Sequence, residues 1–346
     1  MVLSSQTRPI LITGSHRSGS TWVGKMVAAS PSVAYISEPF NPAHSRGIFN
    51  ATTDRWFTCV SGADRFRYES ALRDTIAFHY ALKTGLGSLQ SPRGLARVLV
   101  EYSNCLLYGW QKRRALLKDP IALFSAEWIA STFDAQVVVI VRHPAAFVNS
   151  LIKAQWRHPF SHFLDQAELM ATRLAPFRDE IERMAREKHD IVDEGILLWR
   201  IMHRLILDYR KANPGWLFVR HEDLSGNPID AFDAVFNYLK IEYTPAVKKT
   251  VRLYTRSGNP IERGETGQAF ARLDSRRNVD RWMQRLSAEQ IQRIRERSAD
   301  VWPAFYSNDD WEPAVEGSPY TRWGGNRDQA GPLPMPPPGE RMKRQH

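Results

Sequence analysis

The chain alternates short, continuous apolar runs with longer stretches in which apolar residues recur every three or four positions. A short run without polar interruption is typical of a strand buried on both faces of a parallel sheet. Five such runs are predicted to be strands, at residues 10–12, 33–36, 115–117, 136–141 and 216–219. Residues 136–141 give the clearest signal, because every residue after Gln136 is β-branched.

The helical stretches lie between and after these strands. The first helix is predicted to begin at Ser20 or Thr21, whose side chain would cap it, and to bury Trp22 and Val23. Further helices are predicted at residues 68–82, 94–112, 120–133, 144–154, 164–186, 192–211, 228–240, 245–253, 278–283 and 288–299. This order predicts an α/β fold with three layers, α/β/α, around a central, mostly five-stranded parallel sheet.

A glycine-containing loop joins the first strand to the first helix. Gly14 and Gly19 have the spacing of a Walker A loop, and Thr21 stands at its Ser/Thr position. Because the N–H groups and dipole of a helix N-terminus attract anions, the loop is predicted to hold a phosphate-like group. Ser20 replaces the Walker lysine, and the nearest cation is Arg17. The pattern therefore predicts a P-loop NTPase-like fold that is a poor nucleotide triphosphatase.

Polar side chains follow each predicted strand where it ends. They are Arg17, Glu38, Lys118, Arg142 and His221, in chain order. Since the carboxyl ends of parallel strands meet at one edge of the sheet, and ligands bind there, these residues are predicted to converge on one site.

Composition indicates one large domain with a tail. Of the 346 residues, 43% are hydrophobic and 24% are charged, which suits a substantial core. We expect a domain at residues 1–312 and a Pro/Gly-rich, disordered tail at 313–346. The net charge is +10, but the cations are spread out rather than interleaved with aromatic residues. A mildly basic surface is expected, and no nucleic-acid partner.

The number of cysteines and the hydropathy of the chain indicate the cellular compartment in which the protein is expected. Cys59 and Cys105 are the only cysteines, so neither a disulfide framework nor a metal knuckle is expected. Residues 1–9 are too short and polar for a signal peptide, and no apolar run approaches the roughly 18 residues of a membrane span. These observations predict a cytoplasmic protein with at most peripheral membrane contact.

Three motifs, taken in order, resemble the sulfotransferases that use 3′-phosphoadenosine 5′-phosphosulfate (PAPS). Residues 17–22 are similar to that family's 5′-phosphosulfate loop, and residues 142–144 followed by Ser150 are similar to its 3′-phosphate motif. Residues 220–228 resemble a later segment of the family. Residues 118–120 and 275–282 fit as well, so the resemblance extends over residues 8–311. It is strongest to the carbohydrate-type and bacterial branch.

The resemblance implies that PAPS is the sulfuryl donor and that no metal is needed. Arg142 and Ser150 would then hold the 3′-phosphate, and the loop would hold the 5′-phosphosulfate. His221 stands where the family has a tyrosine beside the adenine, and Trp22 is a second adenine contact or a core-edge aromatic. Arg276 and Arg277 resemble the family's basic C-terminal loop, although its Arg-Lys-Gly triplet is absent. The implied cofactor-binding residues are Arg17, Ser18, Gly19, Ser20, Thr21, Trp22, Arg142, Ser150, His221, Arg276 and Arg277.

Glu38 is the candidate general base, because a glutamate after the second strand has that role in the branch that the chain resembles. A nearby Arg17 would keep Glu38 ionised, whereas burial would raise the pKa of its carboxyl, and both alternatives stay open at this point. Lys118 is either a contact of the sulfuryl group or a solvent-facing charge. The alternative for Glu38 is a turn-capping role, and the alternative bases are His44, His158 and His162.

The predicted reaction is transfer of a sulfuryl group from PAPS to an acceptor hydroxyl. A carbohydrate or glycolipid is the favoured acceptor, and a lipid or small-metabolite alcohol stays open. Two rival functions are a P-loop kinase or nucleotide-binding regulator, and a basic membrane- or nucleic-acid-binding module. Ser20 and Arg142 disfavour the first rival, since a kinase needs the Walker lysine and an acidic strand end.

Overall fold

The computed structural model describes residues 8–43, 47–51, 53–62, 65–87, 92–261 and 271–312. Two sequence-based predictions fall outside these residues: His44 as an alternative base, and the tail at 313–346.

Five parallel strands form the sheet, as predicted from the apolar runs. They are β1 (Ile10–Gly14), β2 (Val33–Ser37), β3 (Arg114–Lys118), β4 (Gln136–Val141) and β5 (Leu217–Arg220). Their order across the sheet is β2-β3-β1-β4-β5. Strand β1 is central, with Ile10 opposite Leu116 on one side and Gln136 on the other. The predicted α/β fold is therefore confirmed.

Helices cover both faces of the sheet. They are α1 (Ser20–Val27), α2 (Arg65–Ile76), α3 (Leu82–Gly87), α4 (Pro92–Trp110), α5 (Ala126–Phe133), α6 (Pro144–Ala154), α7 (Ser161–Leu164), α8 (Ala167–Ala171), α9 (Arg178–Arg186), α10 (Ile191–Ala212), α11 (His221–Gly226), α12 (Pro228–Leu239), α13 (Pro245–Thr255), α14 (Ser275–Val279), α15 (Arg281–Arg285) and α16 (Ala288–Arg297). The described residues also include 3₁₀ segments at Ile121–Ser125, Ala175–Phe177, Trp302–Ala304 and Asn308–Trp311.

The sheet separates two hydrophobic cores. Ile10 and Ile12 of β1 point into the core beneath α1, α12 and α13, whereas Leu11 points into the core that α5, α6 and α10 cover. Val137 and Val138 of β4 divide in the same way. Alternate side chains of a strand face opposite sides, so strands buried on both faces must be apolar throughout.

Several helix predictions were wrong: residues 120–133 form a 3₁₀ segment followed by α5, and residues 278–283 are divided between α14 and α15. The stretch 164–186 is not one helix but α7 to α9 with a 3₁₀ turn between them. Gln166 interrupts it: its Oε1 accepts a hydrogen bond from the Cys59 N–H at 2.8 Å, which ties it to another segment, and Pro176 has no N–H to donate. Helix α1 is not capped by Ser20 or Thr21; its N-cap is Gly19, with φ of 92° and no side-chain cap.

No helix in the described part of the chain is both long enough and apolar enough to cross a membrane.

Candidate functional site

The loop between β1 and α1 has the left-handed backbone conformation at two of its glycines. Gly14 has φ of 136°, and a Cβ there would lie 2.2 Å from the Ile140 carbonyl oxygen. Gly19 has φ of 92°, and its Cβ would lie 2.4 Å from Nδ1 of His221. Arg17 has φ of 64°, a conformation that costs free energy for a residue with a side chain. The loop therefore requires glycine at two positions and is strained at a third.

Arg142 follows β4 and lies beside this loop. Its Nη1 donates a hydrogen bond to the Arg17 carbonyl oxygen. Burial lowers the pKa of Arg142 to about 10, so the guanidinium stays charged at neutral pH. The two arginines that the sequence singled out thus lie at the same edge of the sheet.

Glu38 follows β2 and is held by its neighbours. Lys118 Nζ donates a hydrogen bond to Oε1, and Asn41 Nδ2 donates to Oε2 at 2.6 Å. The Glu38 N–H donates to the Lys118 carbonyl oxygen at 2.8 Å, and the residue has φ of 46°. A strained backbone with both carboxylate oxygens occupied fixes the direction of this side chain.

Lys118 is not the solvent-facing charge that the sequence left open. Its side chain is 2% exposed, beneath Glu38. The next residue, Asp119, accepts hydrogen bonds from the N–H groups of Phe40 (2.7 Å) and Ile121 (2.9 Å). Burial raises the pKa of Asp119 to about 7. Lys118 and Asp119 together fix the β2 loop against β3.

A cleft of about 640 Å³ opens over this edge. Nine of the predicted site residues line it: Arg17, Gly19, Ser20, Thr21, Trp22, Glu38, Arg142, Ser150 and His221. Four do not line it: Ser18, Lys118, Arg276 and Arg277. Ser18 is buried within the loop, and the Nε of Arg276 donates to the Gly226 carbonyl oxygen at 2.8 Å.

Several lining residues were missed by the sequence analysis. Among them are two arginines of α15, Arg281 and Arg285, and one lysine of α6, Lys153. The arginines lie only a few positions beyond Arg277 and are separated by four residues, so the helical periodicity of this segment was a signal that favoured them.

His221 and Trp22 pack together at the mouth of the loop. Their rings are 5.4 Å apart in an edge-to-face arrangement, and Trp22 also meets Phe232 at 5.3 Å. Burial, together with the charge of Arg142, lowers the pKa of His221 to about 3, so its ring is neutral at pH 7. Both rings line the cleft and offer it aromatic surface.

The end of β4 is supported from behind by the last described part of the chain. Glu222 Oε1 accepts a hydrogen bond from the His143 N–H at 2.9 Å, and Oε2 accepts one from the Tyr306 hydroxyl at 3.0 Å. The His143 ring stacks on Trp282 at 4.8 Å and meets Trp311 at 4.4 Å. Burial raises the pKa of Glu222 to about 7. These contacts set the direction in which the chain leaves β4 at Arg142.

The alternative histidine bases have structural surroundings. His162 Nδ1 accepts a hydrogen bond from the Trp56 N–H at 3.0 Å. His158 is buried among aromatic rings, and burial lowers its pKa to about 3. Neither lines the cleft, whereas His16, which the sequence analysis did not consider, does. The pKa of His16 is well below 6.5 because its ring is buried.

Buried donors at this edge suit an anion. The Oγ atoms of Ser15 and Ser18 and Nε of Arg142 are buried, and none has a hydrogen-bond partner among the described residues. The first-turn N–H groups of α1 have no acceptor within the helix. Unpaired buried donors are costly, and the oxygens of a bound phosphate or sulfate would satisfy them. Among the residues that the structure describes, no group of three His, Cys, Asp or Glu could hold a metal ion.

Comparisons with known proteins agree on one family. Residues 9–245, more than half of the chain, match the model of the sulfotransferase family. A search of curated proteins found no match.

The chain is also similar to solved sulfotransferase structures, at low identity. A sulfotransferase domain from the curacin biosynthetic pathway is 16% identical with a TM-score of 0.41, and the match covers 84% of this chain and 97% of that one. The sulfotransferase domain of the Synechococcus PCC 7002 olefin synthase is 18% identical with a TM-score of 0.41, covering 83% and 94%. A mouse sulfotransferase solved in complex with PAP is 13% identical with a TM-score of 0.39, covering 88% and 87%.

The family assignment rests on the match over residues 9–245, and the five-stranded parallel sheet is consistent with it. The chain therefore belongs to the sulfotransferase family and is an enzyme that transfers a sulfuryl group.

Proposed function

We propose that this enzyme transfers the sulfuryl group of PAPS to an acceptor hydroxyl, with Glu38 as the general base. One observation carries the proposal: Arg17, Arg142 and Glu38 follow three different strands and line one cleft. Two cations and one carboxylate at a shared edge suit a donor with two anionic ends and an acceptor that must lose a proton.

The loop side of the cleft would hold the 5′-phosphosulfate. Arg17, Ser20 and Thr21 line this region. Their guanidinium and hydroxyl groups would contact the anion together with the N–H groups at the start of α1. Ser18 lies within the loop, where its unpaired Oγ and its backbone contribute to the same anion site.

The β4 side would hold the 3′-phosphate. Arg142 and Ser150 line it, as do Arg281 and Arg285 of α15. A guanidinium forms strong, directional hydrogen bonds to phosphate, and three of them around one anion give it a fixed position. Trp22 and His221 offer aromatic surface for the adenine between the two sites. Arg276 and Arg277 are not assigned to this group, because they do not line the cleft.

In the proposed reaction the acceptor oxygen forms a bond to the sulfur of PAPS while the bond from that sulfur to the 5′-phosphate oxygen breaks. PAP is the leaving group, and the acceptor hydroxyl must lose its proton. Glu38 accepts that proton at its carboxylate. Lys118 directs the Glu38 carboxylate through its hydrogen bond to Oε1, so we assign Lys118 as a positioning residue and not as a contact of the sulfuryl group.

The acceptor side of the cleft contains aromatic and amide groups. Trp56 and Trp156 lie edge-to-face at 5.8 Å, and Asn41 and Asn149 also line the cleft. Aromatic faces pack on the C–H faces of sugar rings, and amides hydrogen-bond to hydroxyls. A carbohydrate or glycolipid hydroxyl is therefore the acceptor class that we propose.

Calorimetry tests the donor site directly. The wild-type enzyme should bind PAP at least about tenfold more tightly than AMP, which lacks the 3′-phosphate, and more tightly than ATP with Mg²⁺. Arg142→Gln, which can still donate to the Arg17 carbonyl oxygen, should reduce the ratio of PAP to AMP affinity. Arg204→Gln on the exposed face of α10 is the matched control and should leave the ratio unchanged.

Tighter binding of ATP with Mg²⁺ than of PAP would overturn the proposal in favour of a nucleotide-triphosphate enzyme. An equal loss of PAP and AMP affinity in Arg142→Gln would place the 3′-phosphate elsewhere. Incubation with PAPS and a panel of sugars and glycolipids, read by the mass of an added SO₃ group, then identifies the acceptor.

A further inference from the structure

Helix α4 exposes an apolar face that nothing in the described part of the chain covers. Eight large hydrophobic side chains are exposed among the described residues, and six of them lie on this helix. They are Leu95 (42% exposed), Leu99 (51%), Val100 (59%), Leu106 (56%), Leu107 (43%) and Trp110 (80%). Such a concentration on one helix differs from the scattered single residues that are normal on a protein surface.

The spacing of these residues places them on one side of the helix. Leu95, Leu99, Leu106 and Trp110 are separated by four, seven and four positions, so they align along the helix axis over about 22 Å. Val100 and Leu107 widen the same face.

The opposite side of α4 is anchored to the protein. Val98 is 3% exposed, and Cys105 packs against the core. The helix therefore has two apolar faces: one packs against the rest of the protein, and the other is exposed.

The charged residues in and next to α4 along the chain are almost all positive. Lysine or arginine occupies five positions from Lys83 to Arg113, whereas Glu101 is the single acid in that stretch. Glu101 is paired with Arg97 at 2.8 Å. Lys83 and Lys112 are exposed, and the Arg113 guanidinium lies 5.1 Å from the centre of the Tyr108 ring.

We infer that the exposed face of α4 docks on an anionic lipid membrane surface. An exposed apolar helix face in a basic stretch of the chain, with a tryptophan at one end, is the pattern of a helix that lies in the headgroup region. The apolar side chains enter the boundary between headgroups and acyl chains, and the cations contact the anionic headgroups.

Charge disfavours two other occupants. A second copy of this chain would bring the same cations to the same face, and its net charge of +10 would add repulsion. The segment at residues 313–346 ends in Arg341, Lys343 and Arg344, so its last residues also carry the same sign. None of the described residues of α4 lines the cleft, so docking through this face is independent of the proposed donor and acceptor.

Vesicle co-sedimentation of the full chain tests it. The wild-type protein should sediment with vesicles of phosphatidylcholine mixed with phosphatidylglycerol, and much less with phosphatidylcholine alone. Raising the salt to about 1 M, where the screening length is about 3 Å, should weaken binding. Leu99→Gln with Leu106→Gln keeps helix propensity while it removes apolar area, and should lower the bound fraction.

Charge variants separate the two contributions. Lys112→Gln should lower vesicle binding by about fivefold. Lys211→Gln, an exposed lysine at the end of α10, makes the same change in net charge and should lower binding less. Thermal unfolding confirms that each variant is folded.

Three outcomes would overturn the inference. The first is that the wild-type protein fails to sediment with anionic vesicles. The second is that the double glutamine variant binds these vesicles as well as the wild type does. The third is that light scattering shows a dimer that the double variant converts to monomers, which would assign the face to a second copy of the chain.

Discussion

Glu38 and Lys118 are hydrogen-bonded to each other twice, once through their side chains and once through their backbones. The side-chain bond runs from Nζ to Oε1, and the backbone bond from the Glu38 N–H to the Lys118 carbonyl oxygen is 2.8 Å long. The candidate base is therefore fixed to the end of β3 rather than carried on a mobile loop, so its proton-accepting oxygens keep one position in the cleft.

Glu38→Gln should lower kcat by about 10²- to 10⁴-fold, because the amide cannot accept the acceptor proton. Its oxygen can still accept from Lys118, so PAP affinity should stay within about twofold. Steady-state kinetics with PAPS and calorimetry with PAP measure the two effects. Glu127→Gln, a partly exposed carboxylate paired with Arg173, is the control. Wild-type turnover in Glu38→Gln would exclude this residue as the base.

Lys118→Met should destabilise the fold by about 3 kcal/mol, because it leaves the carboxylate of Glu38 without its cation while the lysine stem is only 2% exposed. Adding Glu38→Gln should recover part of that loss, since the unpaired charge is then gone. Urea unfolding of the two single variants and the double variant gives the coupling free energy. Additive losses would mean that the two side chains do not interact in solution.

Gly19→Ala should destabilise the protein by more than Gly258→Ala, although the two glycines have nearly equal φ values of 92° and 90°. A Cβ at Gly19 would lie 2.4 Å from the His221 ring, whereas a Cβ at Gly258 meets nothing within 4 Å. The strain of a positive φ is common to both, at about 1 kcal/mol, so the difference measures the contact with His221. Thermal unfolding provides the measurement.

His221→Ala should recover stability in the Gly19→Ala background, because it removes the ring that the new Cβ would meet. No recovery in the double variant would show that the loop, and not the histidine, resists the substitution.

Glu222→Gln should change how stability depends on pH. The pKa of Glu222 is about 7 in the folded protein, against an ordinary value of 4.5. Between these values the unfolded chain binds fewer protons than the folded chain, so the contribution of Glu222 to stability falls as pH rises. The difference in free energy of unfolding, variant minus wild type, should therefore rise by roughly 3 kcal/mol between pH 5 and pH 8. Denaturant unfolding at both pH values tests this.

Asp119 has the same direction of pKa shift, and the buried histidines have the opposite one. Variant and wild type are therefore compared at the same pH, because the contributions of Asp119 and the histidines to the free energy of unfolding are the same in both proteins and cancel in the difference. A pH-independent difference would mean that Glu222 is ionised in the folded protein at pH 5.

Arg285→Ala should weaken PAP binding by about tenfold or more, because an arginine that lines the cleft loses a charge-assisted hydrogen bond to the ligand. Arg277→Ala, eight positions earlier and outside the cleft, should leave PAP affinity unchanged. Calorimetry on both variants decides whether the donor site contains Arg277, as the sequence predicted, or Arg285, as the lining of the cleft indicates. The reverse result would return Arg277 to the donor site.

The sheet was predictable from the sequence because its strands are buried on both faces. Residues 136–141 are apolar after Gln136, and only a central strand combines that run with β-branched side chains. The convergence of Arg17 and Arg142 on one edge followed from the parallel topology alone.

Contacts between residues far apart in the chain were not predictable. The partner of Glu38 depends on which strand lies next to β2, and the sequence does not encode the order β2-β3-β1-β4-β5 in any local pattern. In the structure Ser37 is opposite Lys118, which places the lysine beneath the glutamate. The prediction of a helix at 164–186 was wrong for a related reason, because Gln166 accepts a hydrogen bond from Cys59, which is 107 residues away in the chain.

The support of Arg142 by Tyr306 and Trp311 has a consequence for biosynthesis. The loop at residues 14–19 and the strand that precedes Arg142 leave the ribosome long before the aromatic residues that brace His143 and Glu222. A nascent chain can therefore form its central strands while the 3′ side of the cleft is still unbraced. Full binding capacity should be acquired only after residues 306–311 have been synthesised, and premature termination before residue 306 should yield a polypeptide with the loop but without a competent donor site.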